Sequence, residues 1–127
     1  MAQATILLVD DEIPFVETLT KRLSKRGIDI LSAFSGQDAL LLLAAGNDVD
    51  IVILDVKMPG MGGLETLAEI KRQYPAIEVI LLTGHSTVDT AVKGMRLGAF
   101  DYLTKPCELE ALMEKIEDAA KVGSQRR

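Results

Sequence analysis

The sequence predicts an α/β fold: a sheet of five parallel strands in the order 2-1-3-4-5, with helices on both faces. Three observations predict it. Strand and helix patterns alternate five times along the chain. The strand candidates are short apolar runs, Ile6 to Val9, Ile51 to Leu54, Val79 to Leu82 and Phe100 to Leu103, as strands covered on both faces require. At 127 residues the chain fits one domain and is too short for two of ordinary size.

The elements follow in order. After the first strand, Pro14 falls in an early helical turn, Val16, Leu19 and Leu23 recur at helical spacing, and Gly27 supplies a stop. Ile28 to Ala33 is a second strand. Ser35 caps a helix that runs from Gly36 through Leu40, Leu41, Leu42 and Leu43 to Gly46. Those four leucines point in every direction, and dense packing against neighbours is the plainer explanation than a partner site. The third strand ends at Asp55 and enters Lys57-Met58-Pro59-Gly60-Met61-Gly62-Gly63, a loop too rich in Gly and Pro for helix. Leu64, Leu67 and Ile70 mark a third helix, and Ile77 to Thr83 a fourth strand. A fourth helix carries Val88, Ala91, Val92 and Met95 at helical spacing and stops near Gly98, before a fifth strand from Phe100 to Thr104. The last helix has the clearest stripe, Leu109, Leu112, Met113 and Ile116. Glu108 and Glu110 sit at its start and Lys115 and Lys121 toward its end, as the helix dipole favours. The domain is expected over residues 4–121, with 122–127 a frayed tail or linker stub. There is no repeat or low-complexity segment.

Composition excludes several classes of function. Hydrophobic content of 48% with 26% charged residues is that of an ordinary globular protein. No apolar run approaches the roughly 18 residues of a membrane span. Met1 to Thr5 show no secretory signal, so a cytoplasmic location is expected. Cys107 is the sole cysteine, which rules out an internal disulfide and a cysteine-based metal cluster. The net charge of -5, from 14 basic and 19 acidic residues, disfavours direct binding to nucleic acid or to an anionic membrane.

Charge gathers where the apolar runs end: Asp10 with Asp11, then Asp55, then Lys105, with Thr83 between the last two. In an open parallel sheet the carboxyl ends of the strands form the ligand crevice, so these groups should converge. Three clustered carboxylates repel unless a cation sits among them, and oxygen-only ligands suit a hard ion such as Mg²⁺. Helix capping before Pro14 needs only one aspartate and leaves the second, and Glu12, without a role. Mg²⁺ keeps open positions that hold phosphoryl oxygens, which lets an aspartate act as the nucleophile. The Lys105 ammonium and the Thr83 hydroxyl are donors suited to the remaining phosphoryl oxygens.

With these residues assembled, the chain resembles the receiver domains of two-component response regulators, a flavodoxin-like fold, from Ala4 to about Lys121. The resemblance rests on Leu7-Leu8-Val9-Asp10-Asp11-Glu12, on Asp55 followed by Met58-Pro59-Gly60, on Thr83-Gly84, and on Gly98-Ala99-Phe100-Asp101-Tyr102-Leu103-Thr104-Lys105-Pro106. It implies that Asp55 accepts a phosphoryl group from a phosphohistidine of a sensor histidine kinase or phosphotransfer protein. Asp10, Asp11, Asp55 and the main-chain carbonyl of Lys57 would hold Mg²⁺, and Lys105 would contact the phosphoryl group. Lys105-Pro106 would be a cis peptide. Thr83 and Tyr102 would form the switch, Thr83 moving toward the phosphoryl oxygen and Tyr102 turning inward. Read without the family, Tyr102 is equally a half-buried strand aromatic. A downstream effector or output domain would read the fourth helix, fifth strand and fifth helix, including Lys93, Arg96, Asp101 and Tyr102. A phosphorylation-dependent homodimer stays open. The Gly98 to Lys105 stretch resembles the receivers of nitrogen-regulation-type activators.

Phe15, Thr18 and Arg22 lie beside the acid pair and are candidates for a kinase-docking patch, with Phe15 equally readable as peripheral core. Gly62 stands where many relatives have an aspartate capping the third helix. Lys57 and His85 lie two positions after Asp55 and Thr83. Lys57 is expected to slow spontaneous loss of phosphate, and His85 to be a polar lead into the fourth helix. The expected function is a switch that promotes its own phosphorylation and is not a turnover enzyme. Two rivals remain: a phosphate-independent binding module, and an Mg²⁺-dependent phosphatase with an aspartyl nucleophile. The phosphatases of that kind carry Asp-x-Asp after the first strand, where this chain has adjacent Asp10 and Asp11.

Overall fold

The computed structural model describes residues 4–58, 60–84 and 87–126, with side chains to residue 123. Pro59, His85 and Arg127 therefore lie outside the described residues, as does the side chain of Arg126. The elements are β1 (Thr5–Val9), α1 (Ile13–Ser24), β2 (Asp29–Ala33), α2 (Gly36–Ala44), β3 (Ile51–Leu54), α3 (Gly63–Gln73), β4 (Glu78–Thr83), α4 (Val88–Arg96), β5 (Asp101–Thr104) and α5 (Leu109–Arg126). All strand pairs are parallel and the order is β2-β1-β3-β4-β5, as the sequence predicts.

Alternation along the strands builds two cores, one on each face of the sheet. Ile6, Leu8, Ile51, Ile53, Ile80 and Leu82 meet Val16, Leu19 and Leu23 of α1 and Leu112, Ile116 and Ala119 of α5. Leu7, Val9, Val52, Leu54, Val79 and Leu81 meet Ala39 and Leu43 of α2 and Leu67 and Ile70 of α3. Of the leucine quartet, Leu43 is buried and Leu40 and Leu42 pack on this second core, while Leu41 faces solvent.

The ends of elements follow from local hydrogen bonds. Ser35 Oγ accepts from the Asp38 amide at 3.1 Å and starts α2. β2 begins one residue later than expected because the Ile28 amide bonds back to Leu23 and completes the end of α1. Gly27, at φ 80°, makes the left-handed turn between them. α5 runs on to Arg126, through residues 122–126 of the stretch expected to be a frayed tail or linker stub.

α4 is where pattern and packing part. Its apolar stripe marks the helix correctly but is not its buried face: Val88 is 80% exposed, Val92 42% and Met95 47%. The buried residue is Gly94. A Cβ there would meet Leu81 Cδ1 at 2.4 Å, so the helix backbone itself rests on β4 and the stripe is left facing outward.

Candidate functional site

Asp10, Asp55 and Lys105 are each the first residue beyond a strand, and the sheet ladder holds each one. The Asp10 amide donates to Ala33 at the end of β2 (3.1 Å), the Asp55 amide to Val9 at the end of β1 (3.0 Å), and the Lys105 amide to Thr83 at the end of β4 (2.9 Å). Residues far apart in sequence are thereby placed with strand precision at the carboxyl edge of the sheet. Thr83 is itself the last residue of β4 and fully buried.

One ligand oxygen from each of Asp10, Asp11 and Asp55 lies within 4.8 Å of the others. Asp10 and Asp55 are buried, at 1% and 6% exposure, and Asp11 is exposed. Asp11, Glu12, Asp55, Lys57, Met58, Thr83, Gly84 and Lys105 line one cavity of about 560 Å³. The predicted acids, the lysine, the threonine and Lys57 are thus brought together. Tyr102 is not part of this cavity. It sits half-buried on β5, and its phenol shares a 3.1 Å hydrogen bond with the Thr90 hydroxyl of α4.

Lys105 organises the charges. Its ammonium donates to Asp10 Oδ2 at 2.6 Å and Glu12 Oε1 at 2.9 Å, and lies 3.8 Å from Asp55 Oδ2. Asp10 Oδ1 accepts from the Glu12 amide at 2.9 Å. Burial raises the Asp10 pKa above the usual carboxylate value. The Lys105 and Glu12-amide bonds oppose that shift without cancelling it, and the nearby Asp55 adds to it. Burial by itself would lower the Lys105 pKa; hydrogen bonds to Asp10 and Glu12 outweigh it, and the ammonium is held above its ordinary value.

Asp55 Oδ1 is buried with no hydrogen-bond partner among the described residues. A buried, unpartnered carboxylate oxygen within reach of two other acids fits a hard divalent cation, since a bare group there is costly. Glycine permits the close approach beside it. A Cβ on Gly63 would lie 2.0 Å from the Asp55 carbonyl oxygen, so the first turn of α3 packs directly on the Asp55 backbone. α3 has no side-chain cap at Gly62, as the missing aspartate implied. Lys105-Pro106 is cis, as expected.

Two residues of this environment were not given roles by the sequence, and a third, Phe15, was read only as docking patch or peripheral core. Glu12 pairs with Lys105; its signal was the third acid in Asp10-Asp11-Glu12. Thr90 partners Tyr102, with no sequence signal beyond its place in the first turn of α4. Phe15 lies under the Lys105 ammonium, 4.2 Å from nitrogen to ring centroid, a contact that spacing along the chain does not show.

The doubly wound sheet with an acidic, lysine-bearing crevice at its carboxyl edge defines the receiver class of signalling domain. Residues 6–117 match the family model of the response regulator receiver domain, and the chain belongs to that family. It is the phosphorylation-controlled switch module of two-component signalling. The transcriptional regulatory protein ZraR of Salmonella typhimurium is 40% identical over 114 residues, covering 90% of this chain and 26% of that protein. The DNA-binding transcriptional regulator NtrC of the same organism is 34% identical over 119 residues, covering 94% of this chain and 25% of that protein. The chain therefore spans about a quarter of the length of these curated relatives. A receiver domain protein from Clostridium thermocellum superposes with a TM-score of 0.92 at 36% identity, covering 98% of this chain and 99% of that one. NtrX from Brucella abortus superposes with a TM-score of 0.91 at 33% identity, covering 99% of this chain and 29% of that one. Among the described residues, no helix is long and apolar enough to cross a membrane.

Proposed function

We propose that Asp55 accepts a phosphoryl group from a phosphohistidine on a sensor histidine kinase or phosphotransfer protein, and that this switches the domain in the cytoplasm. The observation that carries the reading is the convergence of Asp55, Lys105 and Thr83 on one cavity beside the Asp10–Asp11 pair. In the transfer the phosphorus–nitrogen bond of phosphohistidine breaks, an Asp55 carboxylate oxygen bonds to phosphorus, and the imidazole nitrogen leaves with the electron pair. Asp10, Asp11, Asp55 and the Lys57 carbonyl are the groups to hold Mg²⁺, whose charge supplies neutralisation of phosphoryl oxygens. Lys105 and Thr83 donate to the other oxygens, the ammonium leaving Asp10 and Glu12 for a more highly charged acceptor. Borohydride reduction of the phosphorylated protein, which converts an acyl phosphate to an alcohol, should place the modification in peptide mapping at Asp55; modification elsewhere would reject the assignment.

The face read downstream is α4, β5 and α5. Its support is the exposed apolar row Val88, Val92 and Met95 flanked by Lys93 and Arg96, next to Tyr102. Asp101 of the same face is paired with Lys115 of α5 at 2.8 Å. An output domain in the same polypeptide, or a second copy of the domain, are the partners this face would serve. For the incoming donor, Thr18 and Arg22 rim a groove beside the site, and Arg22→Ala slowing transfer from the kinase but not from acetyl phosphate is the expected sign of docking there.

A further inference from the structure

We propose that Phe15 is a positioning residue for Lys105 in phosphoryl transfer, an inference that rests on Asp55 being the acceptor. The ammonium stands 4.2 Å from the centre of the Phe15 ring, well inside the range of a cation–π contact. The Lys105 side chain is only 13% exposed, and such contacts strengthen as the cation is removed from water.

Lys105 is a wall shared by two cavities. One is the acidic cavity of Asp55 and Thr83. The other is a groove of about 230 Å³ between α1 and α5, where Phe15 lies with Leu82, Leu109 and Leu112. From the acidic side the ammonium is held by Asp10 and Glu12. From the groove side it is faced by the ring.

The two kinds of contact respond differently to the reaction. A cation taken up by Asp10, Asp11 and Asp55 competes with the ammonium for Asp10, and a phosphoryl group on Asp55 draws the ammonium toward itself. An uncharged ring competes with neither. It is the contact that persists while the carboxylate contacts change, and it keeps a flexible four-carbon stem from swinging away from Asp55. Phe15 itself reaches no reacting atom; it acts through Lys105. This separates it from a residue that serves docking alone, which would leave transfer from a small donor unchanged.

Phe15→Leu keeps an apolar side chain and removes the π face, while Phe15→Tyr keeps the ring. Two readouts are needed on the 127-residue chain: the rate of adduct formation from acetyl phosphate, and the NMR shift of the Lys105 ε protons in the unphosphorylated protein. The ε protons of wild type should be shifted upfield by the ring. Phe15→Tyr should keep that shift and stay within about twofold of the wild-type rate, and Phe15→Leu should lose the shift and react roughly three- to ten-fold more slowly. An unshifted lysine in wild type, equal rates for Phe15→Leu and wild type, or equal slowing in both variants would each overturn the inference. A wild-type protein that shows the ring shift but takes up no phosphoryl group would overturn the acceptor reading, and this inference with it.

Discussion

The Tyr102 phenol and the Thr90 hydroxyl lie 3.1 Å apart, tying β5 to the first turn of α4. Thr90 has a second task in the same turn. Its hydroxyl accepts from the Thr87 amide at 3.1 Å while the Thr87 hydroxyl accepts from the Thr90 amide at 3.1 Å, a reciprocal cap on α4. One hydroxyl, that of Thr90, thus serves both the α4 cap and the Tyr102 phenol, and the inward turn expected of Tyr102 would have to break that bond.

Tyr102→Phe removes one partner of that bond and leaves the cap of α4 intact. A net hydrogen bond contributes about 0.5–1.5 kcal/mol. Moving a population from 1:99 to 99:1 takes about 5.5 kcal/mol. Tyr102→Phe should therefore raise the inward population several-fold without turning the switch on, read from ring chemical shifts in the unphosphorylated domain. Thr90→Val should do the same and, having lost the Thr87-amide half of the reciprocal cap, lower stability by a further ~1 kcal/mol. Identical stability in the two variants would show that the bond from the Thr87 amide to the Thr90 hydroxyl contributes nothing.

A divalent cation held by Asp10, Asp11 and Asp55 would make stability depend on its concentration. Mg²⁺ at about 100 times its dissociation constant should stabilise the unphosphorylated domain by about 2.7 kcal/mol, seen as a higher unfolding temperature. Asp11→Ala should remove the shift. An equal shift in that variant would place the ion elsewhere.

In metal-free buffer, Asp10 contributes a pH dependence of definite sign. Its folded pKa lies above the reference value of 3.8, so the folded state holds this proton more tightly than the unfolded state does. Stability from this group accordingly falls as pH rises from below 3.8 through the folded pKa. Asp10→Asn should melt at a higher temperature than wild type at neutral pH, with the difference fading in acid. A lower melting temperature at neutral pH would mean that pairing with Lys105 outweighs burial and the charge of Asp55.

Lys57 is exposed and lines the Asp55 cavity, where it would stand beside the approach of a water to a phosphoryl group on Asp55. Lys57→Ala should shorten the phosphoaspartate half-life, followed by intact mass over time. An unchanged or longer half-life would remove Lys57 from the reaction.

Much of this was legible in the sequence because the site is built on strand ends. Asp10 and Asp55 follow an apolar run directly and Lys105 lies two residues past Leu103, so periodicity places them and the parallel topology converges them. α4 shows the limit. Apolar spacing located the helix but not its orientation, because the contact that seats it is made by Gly94, which has no side chain to register in a pattern. The Phe15–Lys105 and Thr90–Tyr102 contacts were hidden for a related reason: each joins side chains on different elements, and their meeting depends on rotamers that no spacing rule specifies.

Intact mass after incubation with acetyl phosphate, with and without Mg²⁺, for wild type and Asp55→Ala, tests the phosphoacceptor most directly. One phosphoryl adduct on wild type, dependent on Mg²⁺ and missing from Asp55→Ala, is the outcome expected of the switch. A wild-type chain that takes up no phosphoryl group, or an adduct that survives in Asp55→Ala, would contradict it.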